Sequence, residues 1–233
     1  FKDFEALFDM KQYGWWHFNA VFDNPLTMLS IWNTLKVGVI TAVTGGALAF
    51  AIGYTINRTT VPGRKAIDLL STIPVAIPGL VVGVAYLWAW IGLPGGLYGT
   101  LWILALAFVA RFMPDTVKAM STSFLQIHKE LEESGQMSGA STINVLRVIV
   151  IPLLSSTLLN AWLWIGLMTF RELSLAVLLT TRDNMTLPVV VWGLWVGGGY
   201  GDASAIAFII LGFMIPIVSL YWFIARRSGL KAV

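Results

Sequence analysis

The chain has 233 residues, of which 57% are hydrophobic and only 12% charged, whereas soluble domains carry about a quarter charged residues. With a mean hydropathy of +0.78 it has too little polar surface to stay dispersed in water. It reads as an integral membrane protein with room for about five or six helical spans of ~20 residues. A net charge of +3 without any basic tract gives no sign of nucleic-acid binding, and the lack of cysteine excludes disulfides, thiolate catalysis and cysteine metal sites.

Residues 1–33 mix Trp15, Trp16, Phe18, Phe22 and Trp32 with Lys and Asp. Such aromatics favour the membrane–water interface, which predicts an interfacial helix packed on the bundle, with a ligand-stacking platform as the alternative. Asn24-Pro25 predicts a turn. The first long span is expected over 34–56, where Gly38, Gly45, Gly46 and Gly53 let helices approach closely. Arg58, Pro62-Gly63, Arg64 and Lys65 then form a short, positive loop. The second span, 69–93, is interrupted by Pro74, Pro78 and Gly79. Proline removes a backbone donor and clashes with the preceding turn, so this is either a broken helix beside a translocation path or a tolerated kink. Leu93-Pro94-Gly95-Gly96 reads as a turn. The third span is expected over 99–113, with an extension past Pro114 to 120, and Arg111 and Asp115 have the spacing of an ion pair across one helical turn.

Next comes the longest polar interruption, 126–152. Phe124, Ile127 and Leu131 fall at helical spacing, which predicts an amphipathic helix over 121–134 with Glu130, Glu132 and Glu133 facing away from them. His128 belongs to its polar face. A fourth span is expected over 148–167, continuing to 179, with Asn160, Arg171 and Glu172 in it. Charges at membrane depth usually face a cavity or a partner. Residues 180–202 form an outer loop whose apolar part, 187–199, is too short to span and reads as re-entrant or interfacial. Its glycines at 197–199 allow a tight reversal. The last span is expected over 203–224. With five long spans, Arg58, Arg64, Lys65, Lys118, Lys129, Arg147, Arg226, Arg227 and Lys231 share one side, against Arg182 and the N-terminal segment on the other. The positive-inside rule makes the first side cytoplasmic.

The polar stretch carries an ordered pattern. Glu133 is followed by Ser134 and Gly135, Gly139 comes four residues after Gly135, and Ile149, Ile151 and Pro152 open the next apolar run. This resembles the coupling loop of permease subunits in bacterial ATP-binding-cassette (ABC) importers, whose motif runs from Glu-Ala-Ala through a glycine to Ile-x-Leu-Pro. Ser134-Gly135 stands where the family has Ala-Ala, and Ile151 where it has Leu. Asn33-Thr34-Leu35, the stretches Ile73-Pro74 and Pro78-Gly79, and the run from Phe170 to Ser174 look most like the ferric-iron branch, and the likeness covers roughly residues 33–227.

The resemblance implies an all-α, polytopic membrane bundle: about five long spans, an interfacial N-terminal segment (1–33) and a permease domain (34–233) with its coupling loop at 121–147. Residues 121–141 would form a coupling helix seated in a cleft of the ATPase, with Glu130, Glu133, Ser134, Gly135, Gly139, Ala140 and Ser141 as coupling residues. Glu133 would make charge-assisted contacts there, and Gly135 and Gly139 would allow the return to the membrane. Implied partners are two ATPase subunits holding ATP and Mg, a second permease half, and a periplasmic or lipoprotein binding protein docking on 180–202 and 93–98. The chain itself would be no enzyme and hold no cofactor. The resemblance leaves open that it is the second half of a longer permease. Its setting would be the bacterial inner membrane, with coupling loop and C-terminus cytoplasmic.

Arg171, Glu172 and Ser174 are candidates for the substrate path. A carboxylate suits a hard cation such as ferric iron, yet one Glu cannot hold iron alone, and Arg171 with Glu172 also reads as a structural or gating pair. Thiamine, polyamine and phosphonate remain alternative substrates. An ion-coupled secondary transporter would explain broken helices and buried charges but not the coupling pattern, and an intramembrane enzyme would need a catalytic pair that cannot be named. The sequence has no G-x-x-x-x-G-K-[ST] phosphate loop and no H-E-x-x-H, and its two histidines, His17 and His128, are far apart.

Overall fold

A computed structural model describes residues 14–92 and 96–227, without the side chains of Ile224, Ala225 and Arg227. Residues 1–13, the start of the turn expected at 93–96, and Lys231 lie outside these. Among the described residues there are helices and no strands.

Helix α1 (Trp16–Asp23) ends at Asn24. The Asn24 side chain then accepts from the Leu26 amide at 2.9 Å, and Pro25 takes the first helical position, where its missing N–H costs nothing. Asn24-Pro25 is therefore a helix start as well as a turn. Helix α2 (Pro25–Arg58) runs 34 residues and begins earlier than the 34–56 span expected, so the boundary expected at residue 33 falls inside it. Its buried stripe is small: Gly38, Ala42, Gly45, Gly46, Ala49 and Gly53. On this stripe it packs against α5 (Leu101–Gln126) and α9 (Ser155–Thr169). At Gly46 the Trp162 indole of α9 occupies the space of a Cβ. At Gly53, Met120 and Phe124 of α5 lie 3.0 and 3.3 Å from where one would be.

Helix α3 (Arg64–Thr72) tightens into a 3-10 turn, Ile73–Ala76, and then stops. Ile77 is extended, as a residue before proline must be to avoid the ring, and α4 (Gly79–Ile91) leaves at 113° to the first half. The segment is thus sharply broken and not merely kinked. Helix α5 continues through Pro114 as far as Gln126. The helix expected over 121–134 is thus two: the end of α5, then extended Ile127 and His128, then α6 (Lys129–Met137).

Helix α7 (Thr142–Val145) leads through a π-helical turn, Leu146–Val150, into α8 (Ile151–Leu153), and the chain bends by 69° into α9 at Leu154. The fourth span therefore starts at 142, earlier than expected, and stops at Thr169. The stretch to 179 is a separate short helix, α10 (Ala176–Leu179). Helix α11 (Leu187–Val196) is the short apolar segment, reversed at Gly198 (φ 83°), and α12 (Tyr200–Arg227) closes the bundle.

Helices α2 and α12 are long and apolar enough to cross a membrane singly, and the bent pairs α3–α4 and α7–α9 qualify as broken or re-entrant segments. Helix α5 is 26 residues long but carries Arg111, Asp115 and Lys118. By length and composition the described residues thus hold two candidate spans, or four if each bent pair is one, where about five were expected; the bundle is all-α as expected. Its outer faces are apolar, with Trp88 77% and Phe208 67% exposed, as suits a lipid-facing surface. The central core joins Val37, Leu104, Phe108, Ile165, Leu175 and Leu179 from α2, α5, α9 and α10. A smaller cluster, Met120, Phe124, Val145, Val150 and Leu154, lies under α6 and α7 and supports the polar end of the bundle.

Candidate functional site

The polar end is built around the turn after α6. Gly139 has φ 84°, in the left-handed region that favours glycine. Its amide donates to the Gln136 carbonyl at 2.9 Å, and the Ala140 amide donates to that of Gly135 at 3.2 Å. These two bonds are the paired bonds of a Schellman stop. The chain turns back at once, because Ser141 caps α7 by accepting from the Asn144 amide. Gly135 permits the return: a Cβ there would sit 3.0 Å from Ile149 and 3.1 Å from Val145. Glu130, Glu133, Ser134, Gly139 and Ser141 are exposed, and Gly135 and Ala140 are half-buried. The exposed surface also carries Met137, 89% exposed, and Ile143, 78%.

Glu132 departs from the sequence expectation. It does not face away with Glu130 and Glu133 but is buried, and its Oε1 accepts from Arg58 Nε at 2.6 Å. One continuous helix would keep the phase of Phe124 through Leu131, but the break at Ile127-His128 resets it. Arg58, the last residue of α2, also donates through Nη2 to the carbonyls of Phe124 (2.9 Å) and Ile127 (2.6 Å), and its guanidinium lies over the Phe124 ring. Two carbonyls at the end of α5 and just beyond it thereby gain a donor from another helix. A nearby pair, Lys118–Asp68 at 2.9 Å, is exposed and contributes little by comparison.

The second polar locus is the break at Pro78-Gly79. Arg111 Nη1 donates to the carbonyls of Pro74 (3.2 Å) and Ile77 (3.3 Å). The ion pair expected between Arg111 and Asp115 is not formed; Asp115 is exposed. The guanidinium goes instead to carbonyls beside the break, where the prolines have removed backbone donors. A Cβ on Gly79 would lie 3.6 Å from Ser174 Cβ, 3.7 Å from Arg111 Nε and 3.8 Å from Glu172 Oε1. The break thus gathers two of the three path candidates, Glu172 and Ser174, beside Arg111, a residue the sequence reading had not assigned to the path. The clue was an arginine in a span next to a doubly broken one. Arg171 is exposed and not bonded to Glu172, whose Oε1 accepts from the Leu175 amide at 3.2 Å. The gating pair is therefore not seen.

At the opposite end, Asn33 Nδ2 donates to the carbonyls of Asp183 and Met185, both at 3.0 Å, and Thr34 Oγ1 accepts from the Leu187 amide at 2.9 Å. Asn184 ties the same loop to the Thr100 and Leu179 carbonyls. His17 of α1 bonds Asp202 at the start of α12 at 2.7 Å. Among the described residues no three His, Cys, Asp or Glu side chains group as a metal site.

No protein-family model matches the chain. A ferric transport system permease protein, FbpB, of Actinobacillus pleuropneumoniae is 28% identical over 192 residues, which are 82% of this chain and 28% of that protein. The chain therefore spans little more than a quarter of that relative. A 2-aminoethylphosphonate transport system permease protein, PhnV, of Salmonella paratyphi A is 25% identical over 204 residues, covering 86% of this chain and 77% of PhnV. In fold, the chain matches one from a bacterial alginate ABC transporter, solved in complex with an alginate pentasaccharide-bound periplasmic protein. The TM-score is 0.77 at 18% identity, over 95% of this chain and 85% of that one. This integral membrane protein is therefore similar in sequence, over most of its length, to transport-system permease proteins, ferric transport permeases among them, and it shares the fold of a chain from an ABC transporter.

Proposed function

We propose that this chain is the permease of an ATP-driven, binding-protein-dependent importer of the inner membrane, and that α6 with its Gly139 turn is the element an ATPase moves. The observation that carries this reading is the pairing of opposites at one end of the bundle. An exposed face of Glu130, Glu133, Met137 and Ile143 stands on a base buried through Glu132 and Arg58. A rigid, exposed helix on a buried anchor can take up force, whereas a solvated loop cannot. ATP and Mg belong to two partner ATPase subunits, and a second permease half completes the path. In this reading that end and the C-terminus face the cytoplasm, which the positive-inside rule supports through the basic residues there. The 180–202 loop at the other end then receives the binding protein. Switching needs contacts that differ between inward and outward states, and the break at Gly79, with Arg111, Glu172 and Ser174, is the region proposed to line the moving path.

Ferric iron is the proposed substrate, because ferric transport permeases stand among the relatives. A phosphonate is the second reading, supported by a likeness that covers 77% of PhnV. The test is uptake and ATP hydrolysis in proteoliposomes holding the whole transporter and its binding protein, offered ferric iron or 2-aminoethylphosphonate. Glu133→Ala and Gly139→Pro are expected to abolish uptake while the complex still assembles. Stimulation by the phosphonate alone would remove the iron assignment. Uptake driven by an ion gradient, with no ATPase co-purifying, would remove the importer reading.

A further inference from the structure

The α6 anchor has a geometry that the coupling reading alone does not require. Helix α6 is joined to α5 only through two extended residues, Ile127 and His128, a connection that transmits bending poorly. The bonds from Arg58 cross that gap. Its guanidinium holds Glu132 on α6 and the Phe124 and Ile127 carbonyls at the end of α5, so one side chain ties both sides of the break to α2. The pair is shielded from water, with the two side chains 6% and 10% exposed; the Phe124 ring lies under the guanidinium, and Tyr54 stands close by. Salt and solvent therefore weaken it little, and the planar fork of arginine fixes the direction of each bond.

Arg58 ends the longest helix of the bundle. Helix α2 continues without a break to Asn33 and Thr34, whose side chains hold the 183–187 segment at the opposite end. Twenty-five residues of helix separate Arg58 from Asn33, about 37 Å at the usual rise per residue. A displacement of α6 that carries Glu132 with it must either move α2 along its length or break the Arg58 contacts.

We propose that Arg58 is a positioning residue that transmits movement of α6 to α2, and through Asn33 and Thr34 to the 183–187 segment. The proposal rests on the coupling role given to α6 above. It adds that transmission runs through the Arg58–Glu132 pair and α2, not through the chain connection from α5. It also explains why Glu132, next to Glu133, is turned inward: one carboxylate faces the partner and its neighbour faces the lever.

The experiment uses the complete transporter, with its ATPase subunits and binding protein, in proteoliposomes. A first arm tests the underlying reading alone. The chain has no cysteine, so Met137→Cys gives it a single thiol, expected to cross-link to the ATPase; failure to do so removes the coupling role of α6 and this proposal with it. In the second arm, Arg58→Met and Glu132→Gln are compared with the double variant. Hydrolysis of ATP is expected to persist while substrate moved per ATP falls about tenfold, within the usual range of coupling effects. The ATP-dependent change in affinity for the binding protein is expected to shrink equally. The double variant should be no worse than either single one, since both remove the same link. Arg58→Lys keeps the charge opposite Glu132 without the fork, folds if Arg58→Met does not, and is expected to restore coupling in part. If cross-linking succeeds but uptake and hydrolysis fall in equal proportion in every variant, or uptake per ATP stays at the native value, the transmission role is overturned and the coupling reading stands.

Discussion

Arg111 Nη1 donates to the Ile77 carbonyl at 3.3 Å, from the middle of α5 to the last residue before the Pro78 break. With its second bond to the Pro74 carbonyl at 3.2 Å, one guanidinium satisfies both of these acceptors on the broken segment. This is what allows α3 and α4 to part at 113° inside an apolar bundle.

Arg111→Leu should therefore destabilise the protein. Losing a charged donor to these half-buried carbonyls costs about 1.5–3 kcal/mol. The check is thermal unfolding in detergent, followed by the emission of the 11 tryptophans, with a clear drop in Tm expected. Arg111→Lys should fall between, since an ammonium keeps the charge but lacks the fork. A native Tm for Arg111→Leu would mean that the break is held by other donors.

Gly139→Ala isolates the conformational demand of the turn. No atom would meet the new Cβ, so the only cost is φ 84°, about 1–2 kcal/mol for a side-chain-bearing residue. Hydrogen exchange of the Gly139 and Ala140 amides should then quicken by about tenfold, with less effect for Gly139→Asn. Unchanged exchange would show that the turn tolerates a left-handed alanine.

Gly46→Ala is a packing test. The added methyl falls on the Trp162 indole, and overpacking of this kind costs about 1–3 kcal/mol. The double variant Gly46→Ala, Trp162→Leu should regain part of the lost Tm. Equal losses for the single and double variants would show that α2 and α9 do not meet through this contact.

Asn33→Leu removes the donor to Asp183 and Met185, and Thr34→Val the acceptor for the Leu187 amide. Each should loosen the 183–187 segment by about 1–3 kcal/mol, seen as faster exchange at Leu187 and earlier cleavage of the loop by protease. Neither should alter the Arg58 end directly, so cross-linking from Met137→Cys should persist.

Features that depend on near neighbours were legible in the amino-acid order. Runs of apolar residues marked the passages, because a lipid-facing helix must be apolar along its length. Pro78 marked the break, and the spacing from Glu133 to Gly139 and Pro152 marked the turn, since only glycine enters the left-handed region freely. Tertiary structure decided which charge faces which way. Glu132 and Glu133 are adjacent and chemically alike, yet one is buried and the other exposed, because the break at Ile127-His128 resets the helical phase and Arg58 waits 74 positions away. Arg111 turned from its near neighbour Asp115 to carbonyls 34 and 37 positions back, and Asn33 found its acceptors across the bundle. Local backbone conformation is set by residues a few positions away. The partner of a buried polar group is set by whichever helix packing brings close, and the penalty for leaving that group unpaired makes the choice binding.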